Sequence, residues 1–176
     1  MVRNVIRWRP LIQRWQPELE HLQGLEGEAL VMAVIAQESQ GFADPHGIVG
    51  MERDRAGSVG LMQVIAGVSG RPSGDRLLDP ALNTLWGMRI LNSVIDQEDG
   101  NLRVALGRYN CGAREKVMSD GCGSRGGLHY ADRVIEHFYP VFLAWLKRPP
   151  TEAIEQRLEE LGAVPEAVRS CGTQAD

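Results

Sequence analysis

No stretch of this 176-residue chain approaches the roughly 18 consecutive apolar residues that a membrane-crossing helix requires, so membrane insertion is not expected. Basic residues are not in excess either. Lys and Arg number 19 against 23 Asp and Glu, giving a formal net charge of −4. That balance offers no electrostatic footprint for nucleic acid or for an anionic membrane surface. Cysteine is scarce: Cys111, Cys122 and Cys171 are odd in number and lack metal-ligand spacing. Three free thiols are expected, with a Cys111–Cys122 bridge forming only after exposure to an oxidising compartment. His46, His129 and His137 share no helix face with carboxylates, and His21 reads as a surface residue. No metal site is therefore expected; no organic cofactor is expected either. The first ten residues carry positive charge but no apolar segment of signal-peptide length. The expectation is synthesis in the cytoplasm without a standard export signal.

What is present is helical patterning. The length suits one domain with a substantial core, and 43% hydrophobic with 24% charged residues is ordinary for a globular protein. A first helix is expected over 10–22, with Leu11, Trp15, Leu19 and Leu22 at core spacing and Gly24 breaking it. A second is expected over 27–40. Residues 41–58 read as a glycine-containing loop, with at most a small hairpin between 41 and 60, and a short helix is expected over 61–66. Asp79-Pro80 supplies an N-cap followed by proline at the first helical position, opening a helix with Ala81, Leu85, Met88, Leu91 and Ile95 on one face. Asn101 caps the next helix and Gly112 ends it. A helix over 130–139 then meets Pro140, which should kink or restart it. Trp8, Trp15, Trp86 and Trp145 lie in helical contexts and read as core anchors. The domain is expected to span 1–147. Beyond it, Lys147-Arg148-Pro149-Pro150 marks a linker, followed by a charged amphipathic helix over 151–161 and a tail.

The second helix carries the chemistry. From Ala29 to Ala36 no residue is charged or strongly polar, so this helix is apolar on every face and belongs inside a core. Glu38 follows at its C-terminal end, at the mouth of that core. Partial burial and the negative end of the helix dipole both penalise the carboxylate, which favours a general acid protonated near neutral pH.

Glu38-Ser39 is followed by Gly60-Leu61-Met62-Gln63, Leu78-Asp79-Pro80-Ala81-Leu82-Asn83, Ala105-Leu106-Gly107-Arg108-Tyr109-Asn110-Cys111-Gly112 and Tyr130-Ala131-Asp132-Arg133-Val134. Each block is weak alone. In this order they resemble the catalytic domain of soluble lytic transglycosylases, relatives of goose-type lysozyme, over residues 10–143. The resemblance implies a mainly α, lysozyme-like fold and action on peptidoglycan glycan strands, at the β-1,4 bond between N-acetylmuramic acid and N-acetylglucosamine. Glu38 would first act as acid and then take the proton of the muramyl C6 hydroxyl, giving a 1,6-anhydro end. The substrate-binding set carried over is Ser39, Gly60, Met62, Gln63, Tyr109, Asn110 and Tyr130. In that set a Tyr109 hydroxyl near the acid would hold its carboxyl in place. Met62 and Asn110 also read well as core filling and helix capping.

One departure concerns Asp54, where many relatives have a small hydroxyl residue. Asp54, or less favourably Glu52 or Asp44, would direct a water and make the reaction a hydrolysis, as acidic residues do in goose-type lysozymes. A separation of about 6.5–9.5 Å from Glu38 would suit that muramidase chemistry. The competing reading of Asp54 is a loop carboxylate paired with Arg53 or Arg55. With no export signal and an acidic charge, delivery to the periplasmic wall would fall to other machinery. A phage endolysin, a virion component and a structural part of a phage particle or secretion assembly are the settings considered, with the helix over 151–161 as the docking element.

Overall fold

The computed structural model describes residues 1–43, 57–68, 70–119, 121–123 and 126–147. Helices dominate: α1 (Val2–Ile6), α2 (Arg9–Trp15), α3 (Gly24–Ser39), α4 (Pro80–Gln97), α5 (Leu102–Cys111), α6 (Arg114–Met118), α7 (Gly127–Arg133) and α8 (Tyr139–Lys147). Two short antiparallel strands, β1 (Ser58–Val59) and β2 (Val64–Ile65), pair Ser58 with Ile65 and Val59 with Val64. This is the mainly α, lysozyme-like architecture expected from the sequence.

α3 is the centre of the core. Gly27 to Ala36 are all buried, as an all-round apolar helix demands. α8 and the π-helical segment Val134–Phe138 pack against it, as do α1 and α2. Leu30, Val31, Met32, Val34 and Ile35 are at most 5% exposed. At about 1.5–3 kcal/mol for each large apolar side chain, their burial amounts to roughly 8–15 kcal/mol before chain entropy is counted. That exceeds the several kcal/mol that partial desolvation of one carboxyl costs, so the helix stays in place with Glu38 at its end. The helix stops at Gln40, whose left-handed φ of 55° turns the chain into Gly41.

Local chemistry sets several other boundaries as expected. Asp79 caps α4, accepting from the amides of Ala81 (2.8 Å) and Leu82 (3.4 Å). Asn101 accepts from Val104 at 3.3 Å to open α5, and Gly112, at φ 83°, closes it. Around Pro140 the helix is interrupted and restarts, with α8 opening at Tyr139. The π segment Val134–Phe138 precedes it and widens the turn where the missing amide cannot bond. Trp8 is buried, and Trp15, Trp86 and Trp145 pack against the core.

The expectations fail in four places. Residues 10–22 do not form one helix: α2 ends at Trp15, and the 3-10 turns Gln16–Glu18 and Glu20–Leu22 follow, because Pro17 cannot continue the ladder. Gly24 opens α3 rather than breaking a preceding helix. The segment 61–66 is the turn and second strand of a hairpin instead of a helix. Cys111 and Cys122 are joined in a disulfide with Cα atoms 5.9 Å apart, so they are not free thiols. Of the expected linker, Lys147 is the last residue of α8; Arg148-Pro149-Pro150, the helix over 151–161 and Cys171 lie outside the described residues.

Candidate active site

α3, α5, α7 and the β1–β2 hairpin bring the site together. Glu38 sits half-buried on the last turn of α3. Its Oε1 accepts a hydrogen bond of 2.6 Å from the hydroxyl of Tyr130, a side chain of α7 that is 2% exposed. Tyr109, one turn from the end of α5, donates its hydroxyl to the Met62 carbonyl at 2.7 Å. Burial pushes both phenols well above the ordinary tyrosine range, and the negative charge of Glu38 pushes both further. Tyr109 also raises Tyr130, so the two phenols lie near each other and near the carboxyl. Neither phenol ionises at neutral pH. Both act as fixed O–H donors.

The structure places the two tyrosines differently. The hydroxyl on Glu38 belongs to Tyr130, whereas Tyr109 locks α5 to the hairpin turn. The cause is the placement of α7, which carries Tyr130 into the core beside the end of α3.

That hairpin turn is built on Asn83, a fully buried residue of α4. Its Oδ1 accepts from the Met62 amide at 2.9 Å, and its Nδ2 donates to the carbonyls of Val59 (2.8 Å) and Leu77 (2.9 Å). Gly60 holds φ 76°, and a Cβ there would lie 2.2 Å from Asn83 Nδ2. Only glycine allows that approach. Gln63, itself at φ 46°, donates from Nε2 to the Gly60 carbonyl at 2.9 Å.

Several residues grouped as substrate-binding are placed behind the site surface. Met62 is 0% exposed and fills the core, and its carbonyl accepts from Tyr109. Ser39 is also 0% exposed. Its Oγ donates to the Ile35 carbonyl (3.2 Å) and accepts from the Gly41 amide (3.3 Å), closing the end of α3. Gly60 acts as backbone geometry, and Gln63 stabilises its own turn. Asn110 is exposed beyond Tyr109 at the end of α5. Asp54, with Glu52 and Asp44, lies outside the described residues.

Sequence reasoning missed one cation. Arg71, half-buried on the segment after β2, donates from Nη1 to the Ile65 carbonyl at 3.4 Å. It favours the ionised form of Tyr109, opposing burial and Glu38. It lies in a glycine- and proline-containing stretch without periodicity, so nothing local marked it. Among the described residues no group of three or more His, Cys, Asp or Glu converges as a metal site would require.

The arrangement presents one carboxyl at the end of a buried helix, oriented by a neutral phenol, beside a hairpin turn that α4 anchors. Such a group can donate and recover a proton at a fixed point. No solved structure matches the chain. The family model described as the transglycosylase SLT domain matches residues 22–120, a span that includes α3, the hairpin, α4 and α5. The chain belongs to the transglycosylase SLT domain family, whose members degrade peptidoglycan.

Proposed function

We propose that the protein is a lytic transglycosylase that cleaves the β-1,4 bond between N-acetylmuramic acid and N-acetylglucosamine, with Glu38 as acid and then base. The observation that carries this reading is the carboxyl of Glu38 at the end of a core helix, gripped at Oε1 by Tyr130. In the first step the carboxyl proton passes to the bridging oxygen as the bond from that oxygen to the muramyl C1 breaks. In the second, the C6 hydroxyl oxygen bonds to C1 and its proton returns to Glu38. The result is a 1,6-anhydro ring and a regenerated acid, with no water consumed. One carboxyl suffices because the substrate supplies the nucleophile.

Tyr130 would contribute orientation. By holding Oε1 it fixes the plane of the carboxyl, so the same group meets both oxygens in turn. Tyr109 and Asn83 would act at one remove, setting the hairpin turn against α5. The Cys111–Cys122 bond supports work outside a reducing compartment, as a wall-degrading protein requires.

Mass analysis of a digest of purified peptidoglycan tests the reading. The proposal expects muropeptides ending in 1,6-anhydromuramic acid, lighter by one water than reducing ends. Reducing ends throughout would replace it with hydrolysis, the reaction in which Asp54 would direct a water.

A further inference from the structure

The family match begins at residue 22, yet the segment before it grips the helix that bears Glu38. Two donors from this segment converge on one acceptor. Trp8 Nε1 donates to the Gly41 carbonyl at 2.8 Å, and Arg7 Nη2 donates to the same oxygen at 3.0 Å. Gly41 is the second residue after α3 ends, so its carbonyl belongs to the corner that leaves the helix. The corner is tied inward as well, through the Gly41 amide to Ser39 Oγ at 3.3 Å and the Gln40 amide to the Ala36 carbonyl at 3.2 Å.

The packing around this corner leaves no slack. A Cβ on Gly41 would lie 2.5 Å from the carbonyl carbon and oxygen of Asn4 and 2.8 Å from the Val5 amide, so the α1 backbone rests directly on it. Gly41 also holds φ 83°, which a side chain would strain. Trp8 is 2% exposed, and the Arg7 guanidinium lies over its ring at 4.9 Å. Burial pulls the Arg7 pKa below its usual value, and its Nε is buried without a hydrogen-bond partner. A partly desolvated cation is an expensive way to tie down a loop. Its position explains it: a positive charge just past a helix C-terminus meets the negative end of the dipole.

We propose that Arg7 and Trp8 are positioning residues for Glu38, acting through the Gly41 carbonyl to fix the last turn of α3. The inference rests on the reading of Glu38 as the acid, and it makes the segment ahead of the matched family region part of the catalytic apparatus. Displacements near 1 Å at a reacting group cost up to about a hundredfold in rate, so loss of one donor should lower kcat by about tenfold. KM should stay within about twofold, because neither residue touches substrate.

The test uses the full chain with Trp8→Phe, Arg7→Gln and Arg7→Lys, assayed on soluble glycan fragments for kcat and KM. Thermal melting and hydrogen exchange over 37–42 are measured on the same samples. The proposal expects kcat reduced in Trp8→Phe and Arg7→Gln well below their melting temperatures, faster exchange at the Gln40 and Gly41 amides, and substantial recovery in Arg7→Lys. Should Trp8→Phe fail to fold, the Arg7 pair carries the comparison. Parental kcat in folded variants overturns the proposal, even if melting falls, since that is what a purely structural role produces. Reduced kcat with unchanged exchange over 37–42 overturns the route through Gly41. A parental chain that cleaves no glycan refutes the reading of Glu38 and this inference with it.

Discussion

Replacing Asn83 with Ala should expose how much the site owes to one buried amide. The substitution removes the partner of the Met62 amide and of the Val59 and Leu77 carbonyls, at 2.9, 2.8 and 2.9 Å, from a residue with 0% exposure. A buried polar group left without its partner costs about 1–3 kcal/mol. Three such groups, partly relieved by water entering the gap, give about 3–5 kcal/mol. With a urea dependence of about 2 kcal/mol per molar, the unfolding midpoint should fall by roughly 2 M. Tryptophan fluorescence and far-ultraviolet circular dichroism, followed together, check that one transition is being read. Asn83→Asp sharpens the test: it keeps an acceptor for Met62 but sets a negative charge against two carbonyl oxygens, and should be at least as damaging. A midpoint shift under about 0.5 M for Asn83→Ala would show that these three contacts do not hold the turn.

Other consequences follow from the same geometry. Tyr130→Phe removes a donor that favours the ionised carboxyl, so the limb of the pH–rate profile governed by Glu38 should move to higher pH; a limb that stays put would separate Tyr130 from the acid. Both phenols have folded pKa values raised above the free value of about 10, so their contribution to stability is complete below that pH and is lost as pH rises beyond it. Tyr109→Phe should accordingly flatten the alkaline fall in stability measured between pH 9 and about 12. Reduction of Cys111–Cys122, which spans 11 residues, should lower stability by about 3 kcal/mol on the loop-closure estimate. Cys111→Ser should reproduce that loss, and dithiothreitol should then add nothing to it.

The chain is legible where one stretch decides its own fate. The uninterrupted apolar run ahead of Glu38 leaves α3 no solvent face, and Asp79-Pro80, Asn101 and Gly112 act within one turn of themselves. The hairpin over 58–65 escaped because Leu61 and Met62 look helical in isolation. The left-handed conformations of Gly60 and Gln63 are held by Asn83, about 20 residues away. Buried Glu28 and Glu98 were equally invisible. Glu28 pairs with Arg9, and Glu98 meets Arg108 at 2.6 Å and Arg114 at 3.4 Å, partners that only packing brings near. The two tyrosines were found by resemblance, but which of them meets the carboxyl depends on how deeply α5 and α7 lie. The Cys111–Cys122 spacing permitted a bridge without requiring it. Arg7 and Trp8 carry no local signature, because their acceptor is a backbone oxygen more than 30 residues on.

The most direct measurement compares the parental protein with Glu38→Gln on purified peptidoglycan, counting anhydromuramyl ends released over time. Glutamine retains the shape and can still accept from Tyr130, but it has no proton to give. A loss of about a thousandfold is expected, in a protein that melts normally. Anhydro ends released by Glu38→Gln at the parental rate would contradict Glu38 as the acid.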